Sequence, residues 1–351
     1  MNTPLRILHA VCTDEFAGVE QFILRLALAQ SADGHDVSVA GGDPARMRRP
    51  LTSAGISYAA VASPAQAARA IRARARDLDV VNTHMTAADL AATIGLIPRP
   101  QRPVVVSTRH FAKRRGRLAP LDPLIDPRMD ANISISDFVA RSIGVHSTVV
   151  HPGMPARPDV DPVTREPVVL MAQRLQPEKH SLLGIRAFAA SGLASEGWRL
   201  DVAGDGPDQT PAEQLARELG VAHAVRLLGF RDDIAARMEQ ASMLIATCPV
   251  EGFGLTVLEA MASGLPVIAP VVGGPAEMLS GLDDRALFAV DDAAHAASHL
   301  RSLGQDPAGR QLFGKAARER QREAFTVEAQ ARGTETVYRE TIGARGGEAR
   351  R

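Results

Sequence analysis

Cysteine is almost absent from this chain of 351 residues, in which Cys12 and Cys248 are the only two. One lies in each half of the sequence, so a structural disulfide is not expected and a reducing compartment fits. The early apolar run LRILHAVC is too short for a signal peptide and leads directly into polar residues. No apolar run reaches the roughly 20 residues of a membrane span, and a cytoplasmic location is therefore expected.

Two chemical patterns are also missing. Histidine and cysteine never cluster with the spacing of metal ligands, so we expect no metal and no other cofactor. The first strand–helix loop contains Gly18 but no G-x-G-x-x-G fingerprint, which argues against a nicotinamide or flavin enzyme. Lys+Arg and Asp+Glu balance at 40 each, and no nucleic-acid partner is expected.

Short apolar runs alternate with helical segments along the whole chain, a pattern that predicts parallel α/β sheets. The length exceeds what one core usually accommodates, and the proline-rich stretch 154–167 separates two such series. We therefore predict an α/β protein with two doubly wound, Rossmann-like domains over 1–158 and 159–325, followed by a last helix over about 326–342.

The balanced total charge hides an uneven distribution. Residues 1–160 hold 19 Lys+Arg against 14 Asp+Glu, whereas residues 161–351 hold 21 against 26. Much of the N-terminal excess lies in arginine-rich clusters, of which one, Lys113–Arg117, reads KRRGR. Solvated helix faces are the simplest explanation for the other clusters. Binding of a phosphate-rich acceptor, or peripheral contact with an anionic membrane surface, is the alternative.

The stretch Glu251–Pro270 has the clearest chemical content. It predicts a glycine-bounded loop after an apolar strand, a helix that begins near Leu255, and another strand after Gly264. In a parallel sheet such a loop lies at the carboxyl edge, where the free N–H groups of a helix N-terminus attract phosphate. Two carboxylates, Glu251 and Glu259, can bracket that phosphate, which suits a nucleotide sugar with hydroxyl groups at both ends.

Two cations follow the first strand of the second domain. Arg174 ends the run PVVLMAQR, and Lys179 comes five residues later, just before the next helix. Near the loop of Glu251 they could neutralise a departing diphosphate, arginine through its planar fork and lysine as a point charge. Exposed surface cations would be the simpler explanation for either residue alone, but their position beside the rest of the pattern favours a binding role.

Other positions in the second domain are less specific. Gly204, in the turn AGDGP, would let the backbone approach a ligand, although such a lone G-x-G is more often simply a turn. Phe230 follows an apolar strand and could border a nucleotide base. Gly273 and Gly274 could offer N–H groups to phosphate, or could serve only a turn that needs positive φ.

In the first domain, His84 and His110 each lie at the end of a predicted strand. A lone histidine is usually structural, but two at neighbouring strand ends make a functional site more plausible. Arg109 and His84, together with Asp14 of the first loop, are candidates for the acceptor side, with surface or structural roles as the alternative.

The segment 251–278, EGFGLTVLEAMASGLPVIAPVVGGPAEM, resembles the signature of family 4 glycosyltransferases, which are retaining enzymes of the GT-B fold. QRLQPEKH, AGDGP, LLGF and NISISDFVARSI support the resemblance, which covers nearly the whole chain and is densest over 167–280. Two glutamates alone would be a weak signal. Their combination with the glycine loop, the upstream Arg/Lys pair and GGPAEM is specific.

The resemblance implies a role for each matching residue. Arg174 and Lys179 would bind the donor diphosphate, Glu251 the transferred sugar and Glu259 the ribose. Together with His110, which matches a histidine placed beside the donor sugar, the first three form the expected catalytic set. The expected donor site also includes Gly18 of the first loop and the segment Gly252, Phe253, Gly254, Leu255 and Thr256.

This sequence departs from the family pattern at three positions. Gln173 and His180 stand where the family usually has glycine before the arginine and after the lysine, and Ala17 replaces one glycine of the first loop. Because Ala17 adds only a methyl group, the first loop is expected to keep its form.

The resemblance implies transfer of a hexosyl group from a nucleoside diphosphate sugar, with UDP favoured, to an acceptor hydroxyl with retention of configuration. The acceptor would be a sugar, a lipid-linked molecule or another small molecule, and the two domains would face each other across a cleft. The last helix would pack back on the N-terminal, acceptor-side domain. Alternatives are a pseudo-glycosyltransferase or sugar-nucleotide epimerase on the same fold, or a non-catalytic subunit that binds a nucleotide sugar.

Overall fold

The computed structural model describes residues 3–97, 102–112, 120–159 and 164–348. The chain forms two compact units: a first unit of Met1–Gly153 with Val327–Arg351, and a second unit of Met154–Thr326. The cluster KRRGR, for which contact with a membrane or a phosphate-rich acceptor was the alternative explanation, lies outside the described residues. Among the described residues, no helix is both long and apolar enough to cross a membrane.

The first unit contains one sheet of seven strands, all parallel, in the order β3-β2-β1-β4-β5-β6-β7. The strand order reverses between the first and fourth strands, and such a switch point is where open α/β sheets bind ligands. The strands are β1 (Arg6–Val11), β2 (Asp36–Ala40), β3 (Ser57–Ala59), β4 (Val80–His84), β5 (Val104–Arg109), β6 (Ala131–Ser134) and β7 (Thr148–Val149).

Helices connect these strands and cover the sheet, so its central strands are buried on both faces. All five residues of β4 are buried, as expected for a strand inside a parallel sheet. Ser63 and Ser136 begin two of the helices by accepting a hydrogen bond from the backbone three residues on. The helices are α1 (Gly18–Ala32), α2 (Pro44–Ser53), α3 (Pro64–Arg74), α4 (Thr86–Gly95), α5 (Asp122–Ile125) and α6 (Asp137–Ile143).

The second unit repeats this architecture with six parallel strands in the order β10-β9-β8-β11-β12-β13. Its switch point lies between the eighth and eleventh strands. The strands are β8 (Glu166–Ala172), β9 (Arg199–Ala203), β10 (Val225–Gly229), β11 (Ala241–Ile245), β12 (Val267–Pro270) and β13 (Leu287–Phe288). The helices are α7 (Ser181–Ser191), α8 (Gln209–Glu218), α9 (Ile234–Gln240), α10 (Leu255–Ala262), α11 (Gly273–Leu279), α12 (Ala293–Gln305) and α13 (Pro307–Ala324).

The two glycines predicted to bound α10 both have left-handed backbone conformations. Gly254 precedes the helix with a φ of +91°, and Gly264 follows it with a φ of +60°. Residues with a side chain rarely adopt this region, so glycine at both ends defines where the helix begins and stops. The predicted start near Leu255 is confirmed.

Three arginines converge on Ser263, the residue that caps the carboxyl end of α10. Arg157 Nη1 donates to Ser263 Oγ at 2.8 Å. Arg165 and Arg318 both donate to the Ser263 carbonyl, at 2.8 Å and 3.0 Å. Cations at a helix carboxyl end offset the negative end of the helix dipole.

The last helix, α14 (Val327–Glu348), belongs to the first unit and extends further than the predicted 326–342. Its Tyr338 is fully buried, and its hydroxyl oxygen accepts a hydrogen bond of 2.6 Å from Asn82 Nδ2 in β4. Gln330 Oε1 accepts a 2.7 Å bond from the backbone N–H of Gly153. The tail after Gly343, which lacks apolar periodicity, continues the helix as far as Glu348.

Candidate active site

The centre of the candidate site in the second unit is an ion pair between Lys179 and Glu251. Lys179 Nζ lies 2.6 Å from Glu251 Oε2, and the two side chains are 18% and 29% exposed. Burial acts to lower the pKa of Lys179, but the charge and hydrogen bond of Glu251 outweigh it, so the pKa is raised. The lysine is therefore a permanent cation at neutral pH.

The backbone of Lys179 is held by two side chains from neighbouring strands. Its carbonyl accepts a 3.0 Å bond from Gln173 Nε2 and a 2.7 Å bond from Thr247 Oγ1. Gln173 follows β8 and Thr247 follows β11, the two strands at the switch point. Gln173 Nε2 also lies 2.9 Å from Ser181 Oγ and 2.8 Å from Thr247 Oγ1. The sequence marked Gln173 only as a departure from glycine, and it gave no signal for Thr247.

Two glycines let the segment after β12 pack closely against the loop of Glu251. The N–H of Gly274 donates to the Glu251 carbonyl at 3.2 Å. A Cβ on Gly274 would lie 2.2 Å from Phe253 Cα, and one on Gly273 would lie 2.4 Å from the Glu251 carbonyl oxygen. Gly273 also has a φ of +72°. These glycines are therefore required for the protein's own packing behind the loop, beyond any contact with phosphate.

The amino end of α10 adjoins this loop and presents backbone N–H donors that the helix itself does not use. Leu258 is the first residue whose N–H bonds within the helix, to Gly254 O at 3.0 Å. The N–H groups of Leu255 and Thr256 therefore have no partner inside the helix, as at every helix start. Together with the helix dipole they form a site that attracts an anion. Glu259 lies one turn further along and is half-buried.

The other predicted donor-site residues differ in how far they are exposed to solvent. Arg174 is 64% exposed, and its guanidinium lies 3.9 Å from Glu178. Phe230, directly after β10, is 64% exposed. Phe253 is only 1% exposed, with its ring centroid 5.8 Å from that of Phe325. The side chain of Phe253 thus belongs to the core, and Gly252 beside it is buried as well.

The turn at Gly204 approaches the protein's own backbone. With a φ of +146°, a Cβ at Gly204 would lie 1.9 Å from the carbonyl oxygen of Gln173. Gly206, in the same turn, would place a Cβ 2.2 Å from the Leu175 carbonyl oxygen. This packing supports the alternative of a structural turn for Gly204, because both glycines let the turn pack against the loop that carries Arg174 and Lys179.

His180 occupies a backbone conformation that usually requires glycine. Its φ is +51°, which explains physically why a glycine is expected after the lysine. Its Nδ1 lies 2.7 Å from Oδ1 of Asp291, which has a φ of +60° itself. Two non-glycine residues in the left-handed region thus hold each other beside the start of α7.

In the first unit the predicted histidines form part of a buried chain. His9 Nδ1 lies 3.1 Å from His84 Nε2, and His84 Nδ1 lies 3.0 Å from His110 Nε2. His9 and His84 are fully buried, and His110 is 7% exposed. Because both ring nitrogens of His84 are occupied, this placement argues against its predicted contact with an acceptor.

Arg109 is also engaged inside the first unit. Its side chain is 12% exposed and donates to Asn132 Oδ1 and to Asp89 Oδ2, at 3.2–3.3 Å. Asp89 is fully buried and also accepts a bond from Thr83. A guanidinium beside a buried carboxylate is a structural ion pair, which argues against the acceptor-side role predicted for Arg109. Asp14 is exposed in the first loop, and exposed Gly18 is the first residue of α1.

The two doubly wound sheets, with a cation–carboxylate pair at the carboxyl edge of the second, point to the GT-B class of glycosyltransferase. The family profile "Glycosyl transferases group 1" matches residues 156–320, and the profile "Glycosyltransferase Family 4" matches residues 16–156. The chain therefore belongs to the family 4 glycosyltransferases, and the resemblance noted in the sequence is confirmed.

Several curated proteins are similar to parts of this chain. An N-acetyl-alpha-D-glucosaminyl L-malate synthase of Bacillus anthracis is 32% identical over 144 residues, 41% of this chain and 38% of that protein. A glycogen synthase of Mycobacterium tuberculosis is 29% identical over 226 residues, 61% of this chain and 54% of that protein. An exopolysaccharide phosphotransferase of Streptomyces coelicolor is 28% identical over 63% of this chain and 24% of its own length. The chain thus spans about a quarter to a half of these relatives.

Solved structures share the fold over nearly the whole chain. A glycosyltransferase from Rickettsia africae has a TM-score of 0.80 at 17% identity, with 97% of this chain and 99% of that one covered. The Anabaena protein HepE, in complex with UDP and glucose, has a TM-score of 0.78 at 19% identity, with 95% and 99% covered. At such identities the likeness establishes the GT-B fold, and not the substrates.

Proposed function

We propose that this chain transfers a hexosyl group from a nucleoside diphosphate sugar to an acceptor hydroxyl group, with retention of configuration. The observation that carries the proposal is the Lys179–Glu251 ion pair, 2.6 Å long, at the switch point of the second sheet. Family membership supports transferase chemistry, and the UDP bound to the Anabaena protein HepE favours UDP as the nucleotide.

The positive charges at the candidate site of the second unit are suited to stabilise a diphosphate leaving group. Lys179 and the N–H groups at the start of α10 would stabilise the growing negative charge, and exposed Arg174 would reach the outer phosphate oxygens. As Lys179 turns to the phosphate, Glu251 would be released to accept hydrogen bonds from hydroxyl groups of the sugar. Glu259, half-buried in α10, would contact the ribose.

No separate base is assigned to the acceptor. In the proposed reaction the departing phosphate takes the proton of the acceptor hydroxyl on the same face of the sugar, which retains the configuration. No metal is assigned either, since cations and helix N–H groups would offset the leaving charge. The acceptor would be a sugar, a lipid-linked molecule or another small molecule, and membrane contact through the basic N-terminal half is part of the same proposal.

The test is a transfer assay on the full chain with UDP-, GDP-, ADP- and TDP-sugars and a panel of acceptors. Nucleoside diphosphate release is measured together with the mass and anomeric configuration of the product. We expect a glycosylated product that retains the donor configuration. Release of nucleoside diphosphate without any glycosylated product would contradict the proposal, and a donor that binds without turnover would indicate a binding subunit.

Substitutions locate the activity at the ion pair. Glu251→Ala should abolish transfer while the circular dichroism spectrum stays that of the wild type. Lys179→Met should lower kcat/KM at least ~100-fold, because one charge-stabilising group contributes about 3 kcal/mol to a transition state. Lys315→Met is the matched control, since Lys315 is 74% exposed and pairs with Glu319 one turn away on its own helix. Wild-type activity in either of the first two variants would refute the site.

A further inference from the structure

A line of hydrogen-bonded side chains crosses the interior of the first unit and ends at His110. It begins at Gln30 in α1, whose Oε1 lies 2.7 Å from His9 Nε2. It continues through His9 and His84 to His110 Nε2, with nitrogen–nitrogen distances of 3.1 Å and 3.0 Å. The four residues come from α1, β1, β4 and the residue after β5. Gln30 is 1% exposed, so it has no access to a ligand.

The direction of these hydrogen bonds is set at Gln30. Gln30 presents Oε1 to His9, while its Nε2 is buried without a hydrogen-bond partner among the described residues. A carbonyl oxygen accepts, so this orientation of the amide gives His9 its proton on Nε2. A neutral imidazole has one donor and one acceptor, and His9 Nδ1 must then accept from His84 Nε2–H. The same step applied to His84 places a proton on His110 Nε2. His110 Nδ1 is consequently left without a proton, as an acceptor.

This hydrogen-bonded line also depends on neutral imidazole rings. A second proton on His9 or His84 would bring two N–H groups face to face. His110 Nδ1 has no partner among the described residues, so burial alone keeps that ring neutral. Burial lowers the pKa of His9 to about 4 and that of His110 to about 3. Burial and the two neighbouring imidazoles lower the pKa of His84 well below its usual value. All three rings are therefore neutral at pH 7.

At the outer end of this hydrogen-bonded line, His110 packs against an aromatic ring and keeps one nitrogen without a hydrogen-bond partner among the described residues. Phe22 packs edge-to-face on His110, with ring centroids 4.8 Å apart and planes at 90°. It also packs on His84 at 5.8 Å. No residue in the part of the chain that the structure describes makes a hydrogen bond to His110 Nδ1. Of the six ring nitrogens, this is the only one without a protein partner among the described residues. His110 also retains 7% exposure, which leaves room for a ligand at this nitrogen.

We infer that Gln30 and His9 are positioning residues, which act through His84 to hold His110 in the Nε2–H tautomer and present Nδ1 as a hydrogen-bond acceptor for a substrate hydroxyl group. The identity of that hydroxyl as one of a sugar rests on the proposed function. The tautomer of His110 does not. The arrangement selects a ligand that donates at this point, such as an alcohol, over one that can only accept, such as a phosphate oxygen.

The direct test is nitrogen NMR on the full chain at pH 7 with ¹⁵N-labelled histidine. Signals are assigned by substituting each of the three histidines with glutamine in turn. We expect His9, His84 and His110 each to show a protonated Nε2 and an unprotonated Nδ1. A protonated Nδ1 on any of the three overturns the inference, and this measurement on the wild-type protein needs no substitution at Gln30.

A substitution at Gln30 then tests whether this residue sets the tautomers of the three histidines. Gln30→Met has a similar size but no acceptor, so the Nδ1 signals of the three histidines should shift towards the average of the two tautomers. Ser107→Ala is the matched control, because Ser107 Oγ in β5 is buried without a hydrogen-bond partner among the described residues. Unchanged tautomers in Gln30→Met would refute the role of Gln30.

The same variants give a kinetic readout. Loss of one ordered acceptor should raise the KM for the sugar substrate about tenfold, with kcat changed less, in Gln30→Met and not in Ser107→Ala. A wild-type KM in Gln30→Met would contradict the substrate contact. Because the NMR signals need no substrate, absence of any transferase activity would remove the proposed function and leave the tautomer assignment intact.

Discussion

In the first unit the strands β1 and β4 and the residue after β5 contribute histidines that bond to one another beneath the surface. In the second unit β8 and β11 instead lead into loops that carry a lysine, an arginine and a glutamate. The strand order of the two sheets is related, with a switch point in the middle of each. Their chemistry is opposite: one set is buried and neutral, and the other is ionised and partly open.

The difference follows from what surrounds each set. His9 and His84 are fully buried, where a charge would be costly, and each imidazole can satisfy the next without one. Lys179 and Glu251 keep 18% and 29% exposure, and each neutralises the other. One topology can thus hold polar residues at neighbouring strands by two different means, a neutral hydrogen-bond chain or an ion pair.

The largest expected consequence of this difference is a pH dependence that belongs to the first unit. The pKa values of His9 and His110 in the folded protein lie below the value in the unfolded chain. Between about pH 6.5 and pH 4, these two histidines therefore bind protons only in the unfolded chain. Stability should therefore fall as the pH falls through this range. Each such histidine costs about 2 kcal/mol at pH 5, so the free energy of unfolding should drop by roughly 4–6 kcal/mol from pH 7.

Urea unfolding at pH 7 and pH 5 measures this drop. His110→Gln should reduce the difference between the two pH values by about a third, since one of three buried imidazoles is removed. His223→Gln should leave it unchanged because His223 is exposed. A free energy of unfolding that is the same at both pH values would mean that the histidine chain binds protons in the folded state.

A smaller effect is expected from the glycines behind the ion pair in the second unit. In Gly274→Ala the new methyl group would lie 2.2 Å from Phe253 Cα, so the loop of Glu251 has to move. We expect a loss of about 1–3 kcal/mol in stability and weaker nucleotide binding by calorimetry. Gly343→Ala in α14 is the control, because a methyl group at this position would meet no heavy atom within 4 Å among the described residues. Equal stability of the two variants would show that the loop accommodates the methyl group.

The smallest effect concerns Gln173, which ties the loop of Lys179 to Thr247. Gln173→Ala removes the hydrogen bonds of Nε2 but leaves the bond between Thr247 Oγ1 and the Lys179 carbonyl. We expect a loss of about 1 kcal/mol in urea unfolding. Gln214→Ala in α8 is the control, because its side chain bonds to exposed Glu218 on the same helix. A Gln173 variant as stable as this control would show that Thr247 alone positions the lysine.

The sequence was sufficient to predict the fold because its signals are local. Apolar runs bounded by glycine and proline gave both sheets, and the loop that precedes Leu255 gave α10 with its correct start. Arg174, Lys179 and Glu251 could be placed at one sheet edge, since strand ends in a parallel sheet meet there. The contact of Lys179 with Glu251 at 2.6 Å needed the structure.

Long-range packing explains what the sequence missed. His9 and His84 are 75 residues apart, and only the register of β1 against β4 shows that their rings meet. His9 carried no signal of its own, as it lies within an apolar run. The direction of the Phe253 side chain into the core, and the close approach of Gly204 to Gln173, likewise depend on segments that are distant in sequence.

The arginines at Ser263 show how the affinity of the candidate anion site can be tuned from a distance. They lie at the carboxyl end of α10, about 12 Å along the helix from the N–H groups that would face a phosphate. By offsetting the negative pole there, Arg157, Arg165 and Arg318 leave the positive pole to act with less opposition. Substitution at this far end can therefore adjust how strongly an anion is held while every residue that touches the anion stays the same.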